Sequence, residues 1–177
     1  ETLGISPNTL SLRLSKLDAL GVIYTPAEER FDRITRLARR VFDVPIALVS
    51  LVTEKCQWFK SAQGLKPTET PREISFCGHA ILLEDTMVIP DTLEDPDFAD
   101  NPLVTGDPFI RFYAGHPLMY DGVPVGTVCL IDVVPRHMTM ADLESLRSMA
   151  AWAENELTVA AMSDAQKDLV ESRDEAV

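Results

Sequence analysis

The sequence lacks any apolar run of about 18 residues, the length that a helix needs to span a bilayer. Cations are also few, since 16 Lys and Arg residues stand against 28 Asp and Glu residues, and the formal net charge is −12. A nucleic-acid-binding surface needs clustered cations that contact phosphates, and anionic membranes attract the same charge. We therefore expect the chain to bind neither nucleic acid nor membrane.

Cysteine is scarce too, because the 177 residues include three, without regular spacing. An odd number without a repeating pattern does not make a disulfide framework and is typical of a reduced, cytoplasmic protein. No signal peptide is recognisable near Glu1. The length suits one domain with attached helices, and 46% hydrophobic residues are enough for a packed core.

Two helix starts are predicted near the N terminus. Ser6 and Pro7 combine a capping residue with a proline at the first helical position, and leucines recur at helical spacing until Gly21. Residues 25–28 (Thr-Pro-Ala-Glu) have the pattern of a capping box that opens a second helix. We assign residues 1–24 to an N-terminal helical segment that precedes the main domain.

A long hairpin is predicted for residues 110–132. Asp121 and Gly122 are a two-residue turn signal, because both tolerate positive φ. With this pair at the centre of the turn, Arg111 lies opposite Asp132, and the two side chains form a structural ion pair. Both faces of the hairpin are largely apolar, so other parts of the chain must cover each of them.

The remaining patterns predict short strands, a short helix and one irregular segment. Strand patterns lie at 45–53, 55–62 and 87–90, and the helix at 74–83. Residues 91–109 contain five aspartates and three prolines without periodicity, and a structured loop of this length is usually functional. A further capping box at 139–142 opens a helix that runs beyond residue 160.

This order of elements predicts an α+β domain with an antiparallel sheet over residues 25–162. The helices from both ends of the chain pack on one face, and the middle loops cover the other. After Met162 the helical pattern continues but becomes too polar to be stabilised by its own domain. We therefore expect residues 163–177 to be the start of a C-terminal signalling helix or linker.

Eight segments, in this order, resemble a GAF domain. They are FDRI (31–34), PIALVSLV (45–52), QWFKS (57–61), SFCGHAI (75–81), VIPD (88–91), FADNP (98–102), RFYAG (111–115) and GTVCLID (126–132), the last followed by Pro135-Arg136. The similarity is greatest to bacterial GAF domains that precede histidine kinases or diguanylate cyclases. It covers residues 22–162 and implies a central six-stranded antiparallel sheet with a loop-covered pocket.

The resemblance also implies a regulatory function without catalysis. An unidentified small molecule, or a partner domain, would settle over the sheet, and residues 91–109 would order or shift. The terminal helices, packed against a second copy in a homodimer, would relay the change along residues 140–177. The output domain would be a histidine kinase or a diguanylate cyclase, and the cofactor, if one is used, stays unknown.

Seven residues are candidates for the pocket, drawn from both strand faces because the sequence does not tell which face holds it. They are Phe76, Cys77, Phe109, Arg111, Tyr113, His116 and Cys129. Arg111 has two interpretations. It either forms the structural ion pair with Asp132 or holds an anionic ligand as a bidentate donor.

No metal site is expected. Cys77 and His79 form one C-x-H pair, whereas a zinc site needs four ligands that usually come from two such pairs. The aspartates of 91–107 lack the spacing of a calcium loop. Some GAF domains hold haem through a histidine, so haem ligation by His116 stays an alternative to a satisfied core histidine. GAF domains that bind bilins usually carry a Cys-His dipeptide, which does not occur here.

Two other functions remain open. Some GAF proteins are thiol-dependent reductases of free methionine sulfoxide, and Cys77 is the candidate for that chemistry. Their reactive cysteine lies just before the fourth strand, however, and residues 107–112 contain none. Residues 3–24 also faintly resemble the recognition helix and following turn of a winged-helix DNA-binding domain.

Overall fold

The computed structural model of the chain describes residues 6–83 and 85–176. Within these ranges the helices are α1 (Pro7–Leu20), α2 (Glu29–Val41), α3 (Phe76–Ala80), α4 (Pro102–Thr105) and α5 (Met140–Glu175). The strands are β1 (Ile46–Val52), β2 (Cys56–Gln63), β3 (Glu69–Pro71), β4 (Met87–Ile89), β5 (Phe112–Tyr120) and β6 (Val123–Asp132). None of the helices in the described part of the chain is both long and apolar enough to cross a membrane.

All six strands form one sheet, in the order β3-β2-β1-β6-β5-β4, and every neighbouring pair is antiparallel. The predicted six-stranded antiparallel sheet is therefore confirmed. β1 and β6 lie at its centre, and every residue of β1 is buried. A strand buried along its whole length must be covered on both faces.

Two separate hydrophobic clusters provide that cover. On one face α1, α2 and α5 pack against alternate strand residues such as Val49, Ala114 and Leu130. On the other face α3 and the segment 98–110 pack against the intervening residues, including Leu48 and Tyr113. We call these the helix face and the loop face. The prediction that terminal helices and middle loops lie on opposite faces is confirmed.

The predicted helix ends at both termini are present. The side chain of Ser6 accepts a hydrogen bond from the Thr9 amide, and Gly21 ends α1 with a φ of 66°. At the start of α5, Thr139 and Asp142 form a complete capping box. These ends were predictable because a cap depends on residues within one turn of each other.

The predicted capping box at residues 25–28 is wrong, because α2 begins only at Glu29. The ammonium group of Lys60, whose side chain is fully buried, lies 2.7 Å from the Glu28 carboxylate. It also donates to the Thr25 hydroxyl and the Pro26 carbonyl, both at 2.8 Å. A buried ammonium needs acceptors for all its hydrogens, so these residues surround Lys60 instead of capping the helix.

The β5–β6 hairpin forms around Asp121 and Gly122, but the predicted register holds only beside the turn. Tyr120 pairs with Val123 as predicted, and from Leu118 onwards the pairing shifts by one residue. The shift follows Pro124, which cannot donate to the ladder and favours a β-bulge.

The bulge changes which residues share a face. Phe112, not Arg111, lies opposite Asp132, and Tyr113 lies opposite Ile131. Tyr113 therefore shares the loop face with Cys129, whereas the predicted register placed these two residues on different faces. One extra residue in a strand has this effect because side chains alternate with a period of two.

Replacing Gly126 tests how closely β1 and β6 approach. An added Cβ at Gly126 would collide with the backbone carbonyl of Ser50, so Gly126→Ala is expected to lower the free energy of unfolding by about 3 kcal/mol or more. Gly122→Ala is the matched control. No described atom lies within 4 Å of its added Cβ, and the φ of 81° costs alanine only about 1–2 kcal/mol. Denaturant unfolding measures both, and equal losses would contradict the close approach.

Candidate functional site

A partly enclosed cavity of about 90 Å³ lies on the loop face of the sheet. Its floor is formed by strand residues such as Leu48 and Ile131, and its cover by Leu65, Leu103 and Ile110. The wall is mainly apolar, and Gln57, Thr70 and Asp107 contribute its polar side chains. A few polar groups in an apolar concave wall are typical of small-molecule sites.

Three of the seven predicted pocket residues line this cavity, namely Phe76, Cys77 and Tyr113. Cys129 lies directly behind one of them, with its sulfur 3.8 Å from that of Cys77. Three of the seven candidates therefore line the cavity, and a fourth lies directly behind it. Whether these residues bind a ligand stays a prediction.

The other three predicted pocket residues lie elsewhere. Phe109 is 50% exposed at the tip of the loop, and it adopts a φ of 60°. His116 lies on the helix side of β5, where its Nδ1 is 2.8 Å from the Thr86 hydroxyl. Arg111 donates to the carbonyls of Val104 and Ile110 at 2.9 and 3.1 Å.

The predicted ion pair between Arg111 and Asp132 is replaced by another. The Asp132 carboxylate accepts from Arg136 at 2.9 Å and from the Val133 amide at 2.6 Å. The cause is the bulge in β6, which moves Asp132 out of register with Arg111. Arg111 instead braces the loop segment through the Val104 carbonyl.

The start of α3 is held over the sheet by Ser75. Its hydroxyl donates to the Gln57 side chain at 2.7 Å and accepts from the Gly78 amide at 2.8 Å. The ring of Phe76 then stacks between Phe98, with centroids 4.6 Å apart, and Tyr113, with centroids 5.1 Å apart. These contacts fix the position of the next residue, Cys77, against the sheet.

The Cys77 sulfur accepts hydrogen bonds from two hydroxyls, those of Thr127 at 3.1 Å and Tyr113 at 3.3 Å. Burial raises the pKa of Cys77, but hydrogen bonds from Cys129, Ser50, Thr127 and Tyr113 lower it further than burial raises it, to about 6. At neutral pH this arrangement favours a buried thiolate.

The neighbours of Cys77 keep their protons. Burial, together with the adjacent sulfur of Cys77, raises the pKa of Cys129 well above its ordinary value. The same two causes raise the pKa of Tyr113. Both groups therefore remain donors while Cys77 is the acceptor.

Neither histidine near the site is placed as a base for Cys77. The ring of His79 lies edge-on to Phe98, with centroids 5.0 Å apart, and His116 faces away from the cavity. Burial lowers the pKa of both imidazoles, so both are neutral at pH 7. The described residues contain no group of three or more His, Cys, Asp or Glu side chains that could hold a metal.

Sequence reasoning missed Ser50 and Thr127, whose hydroxyls are 3.0 Å apart beneath Cys77. Both are fully buried. Each interrupts an apolar strand pattern, and a polar residue in such a position must find a hydrogen-bond partner. That interruption was the available signal.

A larger groove beside α2 has about 900 Å³ of open space and is lined by Arg36, Arg39 and Arg40. Arg36 is paired with Glu29 of the same helix. The groove is wide, polar and open to solvent, in contrast to the apolar cavity of the loop face.

One side of α1 packs on the helix face of the sheet, and its other side is exposed. The buried side chains of α1 are those of Arg13, Leu17 and Leu20, which are 2%, 4% and 0% exposed. A recognition helix needs an exposed face that reaches the DNA groove. The packing of α1 does not test the DNA-binding hypothesis, and residues 3–5 of that segment lie outside the described residues.

Comparison with known sequences identifies the family. Residues 26–157 match the profile of the GAF domain. A protein of Pseudomonas aeruginosa named as a cyclic di-GMP phosphodiesterase is 43% identical over 125 residues, which make up 70% of this chain and 21% of that protein. The chain thus spans about a fifth of the length of that relative.

Solved structures with the same fold come from several kinds of protein. The GAF domain of an Acinetobacter phosphoenolpyruvate-protein phosphotransferase has a TM-score of 0.64 at 16% identity, and the match covers 88% of this chain and 96% of that one. A free methionine-R-sulfoxide reductase from Neisseria meningitidis has a TM-score of 0.63 at 19% identity, over 92% and 90%. A domain described as part of a two-component sensor histidine kinase of Sinorhizobium meliloti has a TM-score of 0.65 at 15% identity, over 81% and 98%.

At these sequence identities the structural similarity shows only that the fold is shared. The family assignment rests on the match to the sequence profile. Both agree with the resemblance seen in the motifs between residues 31 and 136. The chain belongs to the GAF domain family.

Proposed function

We propose that this chain is a non-catalytic sensory domain of a cytoplasmic signalling protein. A small molecule binds in the cavity of the loop face, and the terminal helices transmit the change to an output domain. The observation that carries the proposal is the position of the cavity. It lies on one face of β5 and β6, and α5 packs on the other face of the same strands.

The size of the cavity limits the ligand. About 90 Å³ is well below the roughly 300–1,000 Å³ of most small-molecule pockets. A ligand of ordinary size requires the cover around Leu103 and Pro108 to move outwards. The cover is braced at its base, where Thr92 bonds to Ile110 and Arg111 at 2.7 and 2.8 Å, and its tip carries the exposed Phe109.

The route from the cavity to the helices runs through β5. Tyr113 faces the cavity from this strand, and further along it the Met119 amide donates to the Glu154 carboxylate of α5 at 2.9 Å. A ligand shifts such a system only by binding one state better than the other. Ligands that fit an opened cover therefore bias the position of β5 and, through it, of α5.

The second half of α5 supports a homodimer with a further domain beyond it. Its exposed apolar side chains include Met162 and Leu169, at 60% and 75% exposure. Their seven-residue spacing suits a coiled-coil seam between two copies. A histidine kinase or a diguanylate cyclase remains the expected output, and the Pseudomonas relative adds a cyclic di-GMP phosphodiesterase to these candidates.

Native mass spectrometry of the purified chain tests ligand binding directly. We expect a retained small molecule that is released on denaturation. In Leu103→Trp the indole fills the cavity, so retention should be lost because Leu103 lines the cover. Leu93→Trp is the control, since Leu93 is 54% exposed in the same segment. Equal retention by both variants would place the ligand outside the cavity, and a wild-type chain that never retains or binds a small molecule contradicts the proposal.

Light scattering tests the dimer. Leu169→Glu and Met162→Glu are expected to halve the measured mass without loss of helix content, because each places charge in the seam, where a buried apolar side chain contributes roughly 1.5–3 kcal/mol. Gln166→Glu adds the same charge at an exposed polar position of the same helix and should leave the mass unchanged. A wild-type chain that is monomeric at all concentrations contradicts this part of the proposal.

The alternative function is the thiol-dependent reduction of free methionine sulfoxide, which the Cys77 thiol at the cavity wall favours. Against it, the segment before β5 contributes Asp107 and Pro108 to the cavity and no cysteine. We expect no turnover of free methionine sulfoxide when dithiothreitol is supplied. Turnover by the wild-type chain that disappears in Cys77→Ser would establish the enzyme and end the non-catalytic proposal.

A further inference from the structure

The sensory proposal assigns no chemical reaction to Cys77 or Cys129, yet their environment is unusual for buried thiols. Both are free, and they are 1% and 0% exposed. Their sulfur atoms are 3.8 Å apart, in van der Waals contact, across 52 residues of sequence. We propose that Cys77 and Cys129 form a redox-active thiol pair, in which Cys77 reacts with a small peroxide that enters the cavity and Cys129 closes a disulfide.

Access distinguishes the two thiols. Cys77 lines the cavity, whereas Cys129 lies behind it in β6. A molecule in the cavity therefore meets the Cys77 sulfur first. A cavity of about 90 Å³ admits hydrogen peroxide, which is only slightly larger than water, since one water needs a cavity of about 10–15 Å³.

The hydrogen-bond donors around Cys77 distinguish it from a structural cysteine. Buried cysteines usually behave as small hydrophobic side chains and need no donors. Here the hydroxyls of Tyr113 and Thr127 lie 3.3 and 3.1 Å from the sulfur. They stabilise a thiolate inside an apolar wall without a neighbouring cation, and the pKa of Cys77 falls to about 6 despite burial. The thiolate is the form that attacks peroxides.

Cys129 is suited to the second step. Burial and the nearby Cys77 sulfur raise its pKa, so it remains a thiol while Cys77 is ionised. A pair with one ionised and one protonated member avoids two like charges in contact. The proton of Cys129 is then available to the leaving group when the disulfide closes.

The chemistry balances in two steps. The Cys77 thiolate attacks one peroxide oxygen, the O–O bond breaks, and hydroxide leaves and becomes water with a proton from solvent. Cys77 is then a sulfenic acid, oxidised by two electrons. The Cys129 sulfur attacks the Cys77 sulfur, the S–O bond breaks, and the released hydroxide takes the proton of Cys129 as a second water.

The disulfide alters the cavity wall. Tyr113 and Thr127 lose the thiolate that accepts their hydrogen bonds, and Tyr113 stacks on Phe76 in the same wall. A Cβ at Gly115 would collide with the Tyr113 hydroxyl, so this ring packs directly over the glycine and has little room to turn that way. Oxidation thus acts on the surface that the sensory proposal assigns to the ligand, but it does not depend on that proposal.

Thiol counting on the intact chain tests the pair. The chain is treated with hydrogen peroxide, denatured in excess N-ethylmaleimide, and weighed by mass spectrometry. We expect two of the three thiols to escape alkylation, a loss of two hydrogen atoms, and a Cys77–Cys129 cross-linked peptide that dithiothreitol removes. Cys56→Ser should behave in the same way, because Cys56 bonds to Tyr24 and Glu69 away from the cavity.

Single substitutions separate the two roles. Cys129→Ser should stop at a sulfenic acid on Cys77 that dimedone labels, and Cys77→Ser should leave Cys129 reduced. Circular dichroism checks that both variants fold. Three alkylatable thiols in the peroxide-treated wild type, or an equal yield of disulfide in Cys77→Ser, would overturn the proposal.

The pH dependence of the reaction provides a readout that a structural role does not affect. With the pKa of Cys77 at about 6, the thiolate is already the main form at pH 7. The oxidation rate should therefore change little above about pH 7 and fall as the pH drops through 6, whereas an ordinary thiol of pKa about 8.5 gains rate steeply above pH 7. Tyr113→Phe removes one donor and should move the fall to higher pH. A wild-type rate that rises steeply between pH 7 and 8.5 counts against the pair.

The outcomes remain separable from those of the sensory proposal. A chain that forms the disulfide but retains no small molecule supports the thiol pair and contradicts ligand sensing. A chain that retains a small molecule but keeps three alkylatable thiols supports ligand sensing and contradicts the thiol pair.

Discussion

The central strands β1 and β6 are largely apolar on both faces. The rest of the structure depends on covering each of these faces with other parts of the chain. All seven residues of β1 are buried, and Val49 faces the helices while Leu48 faces the loops. Long amphipathic helices pack densely on one face, where Leu146 and Leu157 of α5 are fully buried. The other face is covered by short helices and irregular backbone, and the cavity lies beneath this cover.

Some of the polar groups that the two covers bury form hydrogen bonds with one another. On the helix face, the Lys60 ammonium donates hydrogen bonds to Thr25 and Pro26 and forms a salt bridge with Glu28. On the loop face, Thr127 and Tyr113 donate to Cys77. A buried polar group without a partner costs about 1–3 kcal/mol, so each of these clusters holds its segment in place. On the loop face the acceptor is the sulfur of Cys77, which places a reactive atom in a mainly apolar wall.

The same strands carry the cavity on one face and the helices on the other, which is why this fold suits regulation. Successive side chains of β5 point to opposite faces of the sheet, so any movement of the strand displaces side chains on both faces. The hydrogen bond from Met119 to Glu154 adds a direct link to α5. α5 continues to Glu175, well past the last residues that its own domain buries, and its exposed end is free to contact another copy or another domain.

The sequence by itself determined the features that depend on neighbouring residues. These are the caps at Ser6 and Thr139, the hairpin turn at Asp121, five of the six strands, and the need to cover both sheet faces. The tertiary structure alone decided the rest. The bulge beside Pro124 shifts the register by one residue. As a result, Asp132 forms its salt bridge with Arg136, and Tyr113 lies on the same face as Cys129. Local patterns cannot contain such contacts, because the energy that selects them comes from packing between residues far apart in the chain. Cys77 and Cys129 meet only once α3 has settled on the sheet.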